Sequence, residues 1–210
     1  MKALCIPSLL SIGLSPILDT TVAAPAQIDI TTRSQQIADA FQELEGVAVS
    51  QEVALQVHQL SDDLVVLVAD LRSGSVSNAL RSQMLRTFFV AIDMTLSASA
   101  GVENEEPPAS YPSSPPGTFL PTGASAESIQ DPVLRAEYER RFAAQRELLE
   151  KYNVRRRFYE ESLRLKRQVR VFLAKYFDVN DPKDIELINS SAAEVFGDKA
   201  SARTAEVVPK

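Results

Sequence analysis

Residues 50–74 read SQEVALQVHQLSDDLVVLVADLRSG. Within them Val53, Val57, Leu60, Leu64, Leu67 and Leu71 recur at spacings of 4, 3, 4, 3 and 4. Residues three and four apart share one face of an α-helix, so the stretch predicts a helix with a three-heptad apolar seam, the coiled-coil pattern that calls for a partner helix. Val65, Val66 and Val68 widen that seam and predict that this helix is the central one. Ser50 is placed to cap its first turn, Glu52 suits the positive end of the helix dipole, and Ser73-Gly74 ends it.

Working outward, every other periodic segment also reads as helix. Before the seam, Ser34 precedes Ile37, Phe41 and Leu44, and Gly46 stops the run. After it, Ser75 or Ser77 opens a helix carrying Leu80, Met84, Leu85, Phe88, Ala91, Ile92, Thr95 and Leu96, ending near Gly101. The short connection predicts that this helix and the seam helix pair as an antiparallel hairpin. Asp131-Pro132 then sets a capping carboxylate before a proline at the first helical position, where its missing N–H costs nothing. Neither Pro nor Gly follows until Pro182, so residues 132–177, if continuous, run about 70 Å, with Tyr152-Asn153-Val154 as the place for a bend or break. Asp181-Pro182 repeats the start signal for a short last helix bearing Ile185, Ile188, Ala192 and Val195. The fold class is all-α: an antiparallel helical bundle plus a long basic amphipathic helix, joined by a Pro-rich linker.

Composition divides the chain in the same places. It has 210 residues, 45% of them hydrophobic, and a net charge of −6. Residues 3–18 are apolar or small and uncharged behind Lys2, and Ala24 and Ala26 give the small-x-small pattern of a leader cleavage site, so residues 1–26 read as a signal peptide. The expected location is therefore secreted or periplasmic. Residues 27–101 read as an acidic helical bundle; over residues 27–106, four basic residues stand against twelve acidic ones. Residues 102–130 read as a disordered linker, because Pro107, Pro108, Pro112, Pro115, Pro116 and Pro121 crowd its first part. Residues 131–196 hold the long basic helix and the short one, and 197–210 read as a disordered tail.

The chemistry-bearing residue types are scarce. Cys5 is the one cysteine, which excludes a disulfide framework and multi-Cys metal sites. His58 is the one histidine and shares a helix face with Asp62; one imidazole and one carboxylate are too few for a selective metal site, and a boundary histidine bonded to Asp62 is the plain reading. Phosphate-loop, dinucleotide and nucleophile-elbow motifs do not occur. The pair Glu160-Glu161 reads as solvated surface. No enzyme, cofactor or metal is expected.

One constellation stands out. Arg155, Arg156, Arg157, Arg164, Lys166, Arg167, Arg170 and Lys175 face only Glu160 and Glu161 locally. At 100° per residue Phe158, Leu165, Val169, Phe172, Leu173 and Tyr176 fall on one side, and Arg156, Arg157, Arg164, Arg167 and Lys175 on the other. Arg156, Arg157, Arg164, Arg167, Arg170 and Lys175 are the candidate partner- or anion-binding residues. Three readings of them stand: a solvated outer face, docking on the acidic N-terminal bundle, or a surface for an external partner. That partner is an acidic protein if the chain is a helical interaction or scaffold protein, and an anionic membrane or another polyanion if it is a peripheral lipid- or polyanion-binding module. An exported chain would not meet nucleic acid as its usual partner; self-association into a homo-oligomer through the seam is also compatible with the pattern. The leader reading has a direct check: intact-mass measurement of the secreted product is expected to give a chain starting at Gln27, and recovery of the full 210 residues from the cytosol contradicts it.

Overall fold

A computed structural model describes residues 29–71, 76–112 and 125–207. Among them six α-helices form and no strand: α1 Ile30–Glu43, α2 Gln51–Asp70, α3 Asn78–Ala98, α4 Pro132–Tyr176, α5 Pro182–Phe196 and α6 Ala200–Val207. The protein is all-α. Four helices start where the capping residues say. Ser50 accepts from the Val53 N–H at 3.2 Å, Ser77 from Leu80 at 3.3 Å, Asp131 from Val133 at 2.8 Å, and Asp181 from Lys183 at 2.9 Å. α1 differs: it begins a turn early, and Ser34 is buried inside it rather than capping it. The signal-peptide assignment of residues 1–26 lies outside the described residues, as do residues 113–124 of the linker.

α3 packs against α1, α4 and α5, while α2 packs against α1 and α4. α3, not α2, is therefore the central helix, and α2 and α3 do not form the expected hairpin; α1 and α4 each bridge the two. The chemistry of their faces explains it. α2 has one apolar face and must keep Glu52, Asp62, Asp63 and Asp70 in water. α3 buries Met84, Leu85, Phe88, Phe89, Ala91 and Ile92 around much of its circumference. Two of its buried hydroxyls and that of its C-cap satisfy themselves locally: Thr87 donates to Gln83 O at 3.0 Å, Thr95 to Ala91 O at 2.9 Å, and Ser99 to Thr95 O at 2.7 Å.

The seam of α2 is also rotated slightly. Val53, Val57, Leu64, Leu67 and Leu71 are buried, but Leu60 is half-buried and Ser61 takes its interior place, donating to Val57 O at 2.8 Å. A strict 3.5-residue seam stays on one face only if the helix supercoils; at 3.6 residues per turn it drifts. Val65 and Val68 are half-buried, whereas Val66 is 51% exposed.

α4 runs unbroken for 45 residues, about 67 Å, straight through Tyr152-Asn153-Val154. Its C-terminal half buries Val154, Phe158, Leu165, Val169, Phe172 and Leu173 in the same core as α1, α2, α3 and α5. The stretches that read as two separate units share one core. The turn into α5 is pinned by Arg81 of α3. Its guanidinium donates to Tyr176 O at 2.7 Å and to Asp184 at 3.0 Å, and lies 4.8 Å from the centre of the Phe177 ring. Burial works against the Asp184 charge, but the Asp178 N–H at 2.8 Å and Arg81 outweigh it and hold this carboxyl below its ordinary value.

Two regions expected to be disordered are ordered where they are described. Residues 102–112 run against α4: Val102 is buried, Glu105 pairs with Arg155 at 2.9 Å, and Ala109 O accepts from Gln145 at 2.7 Å. Ile129 is buried too, and its carbonyl accepts two bonds from Arg135, at 3.0 and 2.7 Å. Proline blocks helix and ladder, yet an extended chain still packs when it carries apolar anchors. Likewise a short 3-10 turn, Gly197–Lys199, and α6 stand where a frayed tail was expected; α6 packs on α5 and α4, with Ala200 against the core.

The core assignment is open to measurement. Leu64→Ala removes a side chain with no solvent exposure and is expected to cost about 2–5 kcal/mol in denaturant unfolding. A loss below about 0.5 kcal/mol would show that the α2 seam is not a packing face.

Candidate functional site: the basic face of α4

The apolar side of the amphipathic half of α4 is inside, as its periodicity requires. Phe158, Leu165, Val169, Phe172 and Leu173 are buried, and Tyr176 is half-buried with its hydroxyl donating to Leu71 O at 2.9 Å. The basic residues opposite divide into two groups.

The first group is tied into the chain. Arg155 donates to Ala100 O at 2.8 Å besides pairing with Glu105. Arg156 meets Glu160 one turn on at 3.3 Å and lies 5.2 Å over the Tyr159 ring. Arg164 turns sideways toward α2, where it bonds Asp62 and reaches Glu161 at 3.2 Å. Burial opposes the charge on Arg164, but the Asp62 and Glu161 contacts outweigh it and hold the guanidinium above its ordinary value. Arg164 is thus a structural clasp between α2 and α4, not part of the outward face.

Glu161 lies in the same clasp. It is only 8% exposed, which corrects its reading as solvated surface. His58 Nδ1 stands 2.8 Å from Glu161 Oε2, while Nε2 is 3.7 Å from Asp62, so the histidine's main partner is Glu161 rather than Asp62. An ionised carboxylate only accepts, so Nδ1 carries the hydrogen and donates it to Glu161. The Arg164 nitrogen 3.1 Å from the same Nδ1 is then a neighbour and not a bonding partner. Sequence spacing missed this pairing because α2 and α4 meet across 103 residues of chain. Among the described residues no group of three or more His, Cys, Asp or Glu is placed to hold a metal ion.

The second group points to water. Arg157, Arg167, Arg170 and Lys175 are exposed, and Arg157 and Arg167 have no partner among the described residues. Lys175 lies 5.0 Å over the Tyr176 ring. Leu163, 37% exposed, and Val171, 59% exposed, share this outer side with Arg167 and Arg170. The aliphatic members of the stripe were missed in the sequence, although the 163, 167, 170, 171 spacing carries them. Of the six candidates, the structure brings Arg157, Arg167, Arg170 and Lys175 to the solvent side, turns Arg164 away, and leaves Arg156 half-covered by its own helix.

Compared with protein-family models, with curated proteins and with solved structures, the chain matches none.

The division predicts different costs for like substitutions. Arg164→Gln leaves buried Glu161 with one cationic contact fewer and is expected to destabilise by about 1–3 kcal/mol. Arg167→Gln is expected to change stability by less than about 0.5 kcal/mol. Equal effects in urea unfolding would mean that the clasp contributes nothing.

Proposed function

We propose that the protein is an exported, non-enzymatic helical interaction protein that engages an acidic protein partner through the outward stripe of α4. One observation carries this reading: Arg157, Arg167, Arg170 and Lys175 stand exposed on a rigid helix, interleaved with exposed Leu163 and Val171. Exposed like charges on one face add little to folding, and Arg157 and Arg167 have no partner among the described residues, so a cationic crest on an acidic molecule supports a role in recognition. Arginine forms bidentate contacts with carboxylates, and aliphatic neighbours supply the apolar contact that salt does not screen.

The alternative is an anionic membrane surface as the partner. Two aliphatic side chains offer little apolar area for insertion, and a net charge of −6 opposes approach to anionic lipid, so a protein partner is favoured. No described helix is long and apolar enough to cross a membrane. Export rests on the leader-like residues 1–26, and on that reading nucleic acid is not the partner.

The test is Arg157, Arg167 and Arg170 changed together to Gln, leaving Arg164 in place. Helicity and melting temperature are expected to hold. Binding to a polyglutamate peptide in 50 mM salt is expected to fall about tenfold or more, and to weaken steeply with salt for the unmodified chain only. Unchanged peptide binding rejects the reading. Binding to phosphatidylserine vesicles without peptide binding replaces the protein partner with the membrane.

A further inference from the structure

The projecting half of α4 carries a concave surface, remote from the arginine stripe. Residues 132–151 extend past the end of α3, which closes at Ala98–Gly101 beside Arg155. Against this half lie the chain around Tyr111 and the short turn Ala126–Ser128, and between them runs a groove of about 590 Å³. That is the size of a small-molecule pocket.

The groove has two chemical components. Three aromatic rings form its floor: Phe142 stands at the centre, with ring centroids 6.2 Å from Tyr111 and 6.4 Å from Tyr138. Tyr138 is buried and fixes the arrangement, while Phe142 and Tyr111 are open to solvent. Glu139, Glu147 and Glu150 line the same groove against one guanidinium, that of Arg146. Lys151 bonds Glu147 at 2.6 Å and holds its carboxyl below the ordinary value, so that group stays charged. With Lys151 counted beside Arg146, the three carboxylates at the groove exceed the two cations by one, and Glu139 and Glu150 are the ones without the Lys151 bond.

Aromatic faces carry negative electrostatic potential, and adjoining carboxylates deepen it. A ligand that satisfies both is a cation with an apolar body, because it replaces its hydration shell with ring faces and keeps a counter-charge nearby. A neutral apolar ligand would leave the carboxylates unused, and an anion would be repelled by them. We propose that this groove binds an organic cation: an alkylammonium or guanidinium group, either free or borne on a peptide side chain. The assignment is independent of the arginine stripe, because it uses none of that face's residues.

The test uses the full chain and NMR titration of the Tyr111 and Phe142 ring signals. Choline is the free cationic probe, and 3,3-dimethylbutan-1-ol is its uncharged counterpart of the same shape. The peptide Gly-Arg-Gly presents the cation as a side chain. Choline or the peptide is expected to bind about tenfold more tightly than the neutral alcohol, and whichever binds better identifies the source of the cation. Glu139→Gln with Glu150→Gln, both exposed positions, is expected to reduce cation binding about tenfold while leaving the circular dichroism spectrum unchanged. Phe142→Leu is expected to abolish the preference for charge. Equal binding of choline, peptide and alcohol overturns the proposal. So does cation binding that survives both variants, or the absence of any shift with either cation at tens of millimolar.

Discussion

The structure depends on the burial of α3 on three sides. A helix surrounded by α1, α4 and α5 can carry almost no charge where they touch it, and the polar groups it keeps there must be satisfied within the helix or by one matched partner. Thr87, Thr95 and Ser99 meet the first condition by bonding carbonyls of the preceding turn. Ser82 meets the second through Ser191 of α5 at 3.0 Å. Once α3 is enclosed, α2 has only α1 and α4 to pack on, and its acidic residues face water or a cation on one of those two helices. The clasp of His58, Asp62, Glu161 and Arg164 follows from that placement: α4 supplies the cation beside Asp62, as Arg33 of α1 supplies one to Asp70 at 2.9 Å.

How much of this was legible depends on whether the signal is local. Caps are local: Ser50, Ser77, Asp131 and Asp181 each bond an amide two or three residues on, and the helix starts they imply agree with the structure. The choice of central helix is not local. α2 has the cleaner heptad, and a clean heptad means one apolar face and therefore an edge position. α3 looks less regular because its apolar residues surround it, and that irregularity was the true sign of a centre. Ser34 shows the limit of cap reading from the other side. A serine before an apolar run resembles a cap, but one turn of α1 precedes it and Ser34 itself is buried.

The candidate site was legible as a region and not as a set of contacts. Helical spacing gives the angle of each arginine about α4, and the inward residues agree with it. It does not say which flank meets another helix. Arg164 lies on the same nominal side as Arg167, yet α2 brings Asp62 to it and removes it from the surface. Glu161 is the mirror case, a carboxylate beside Glu160 in sequence but turned inward by 100°. Charge on an amphipathic helix thus divides into a flank that closes the bundle and a crest that remains outside, and only tertiary neighbours assign the members.

The length of α4 sets the last constraint. Its 45 residues exceed what the bundle can cover, because α3 ends at Ala98 opposite Arg155. A helix left alone in water over residues 132–151 would have only its own i,i+4 pairs, Glu137 with Arg141 and Glu147 with Lys151, which are solvent-screened and add little. The rings of Tyr138 and Phe142 would also lack the cover that Tyr111 gives. The proline-containing chain resolves both problems. Its described parts, residues 102–112 and 125–130, hold only two short 3-10 turns and otherwise irregular chain, and they lie along α4. Val102, Tyr111 and Ile129 anchor it, and the carbonyls of Ala109 and Ile129 accept from Gln145 and Arg135. The composition that reads as disorder in isolation thus serves here as the covering of a helix that outruns its bundle, and the aromatic groove forms at the edge of that covering.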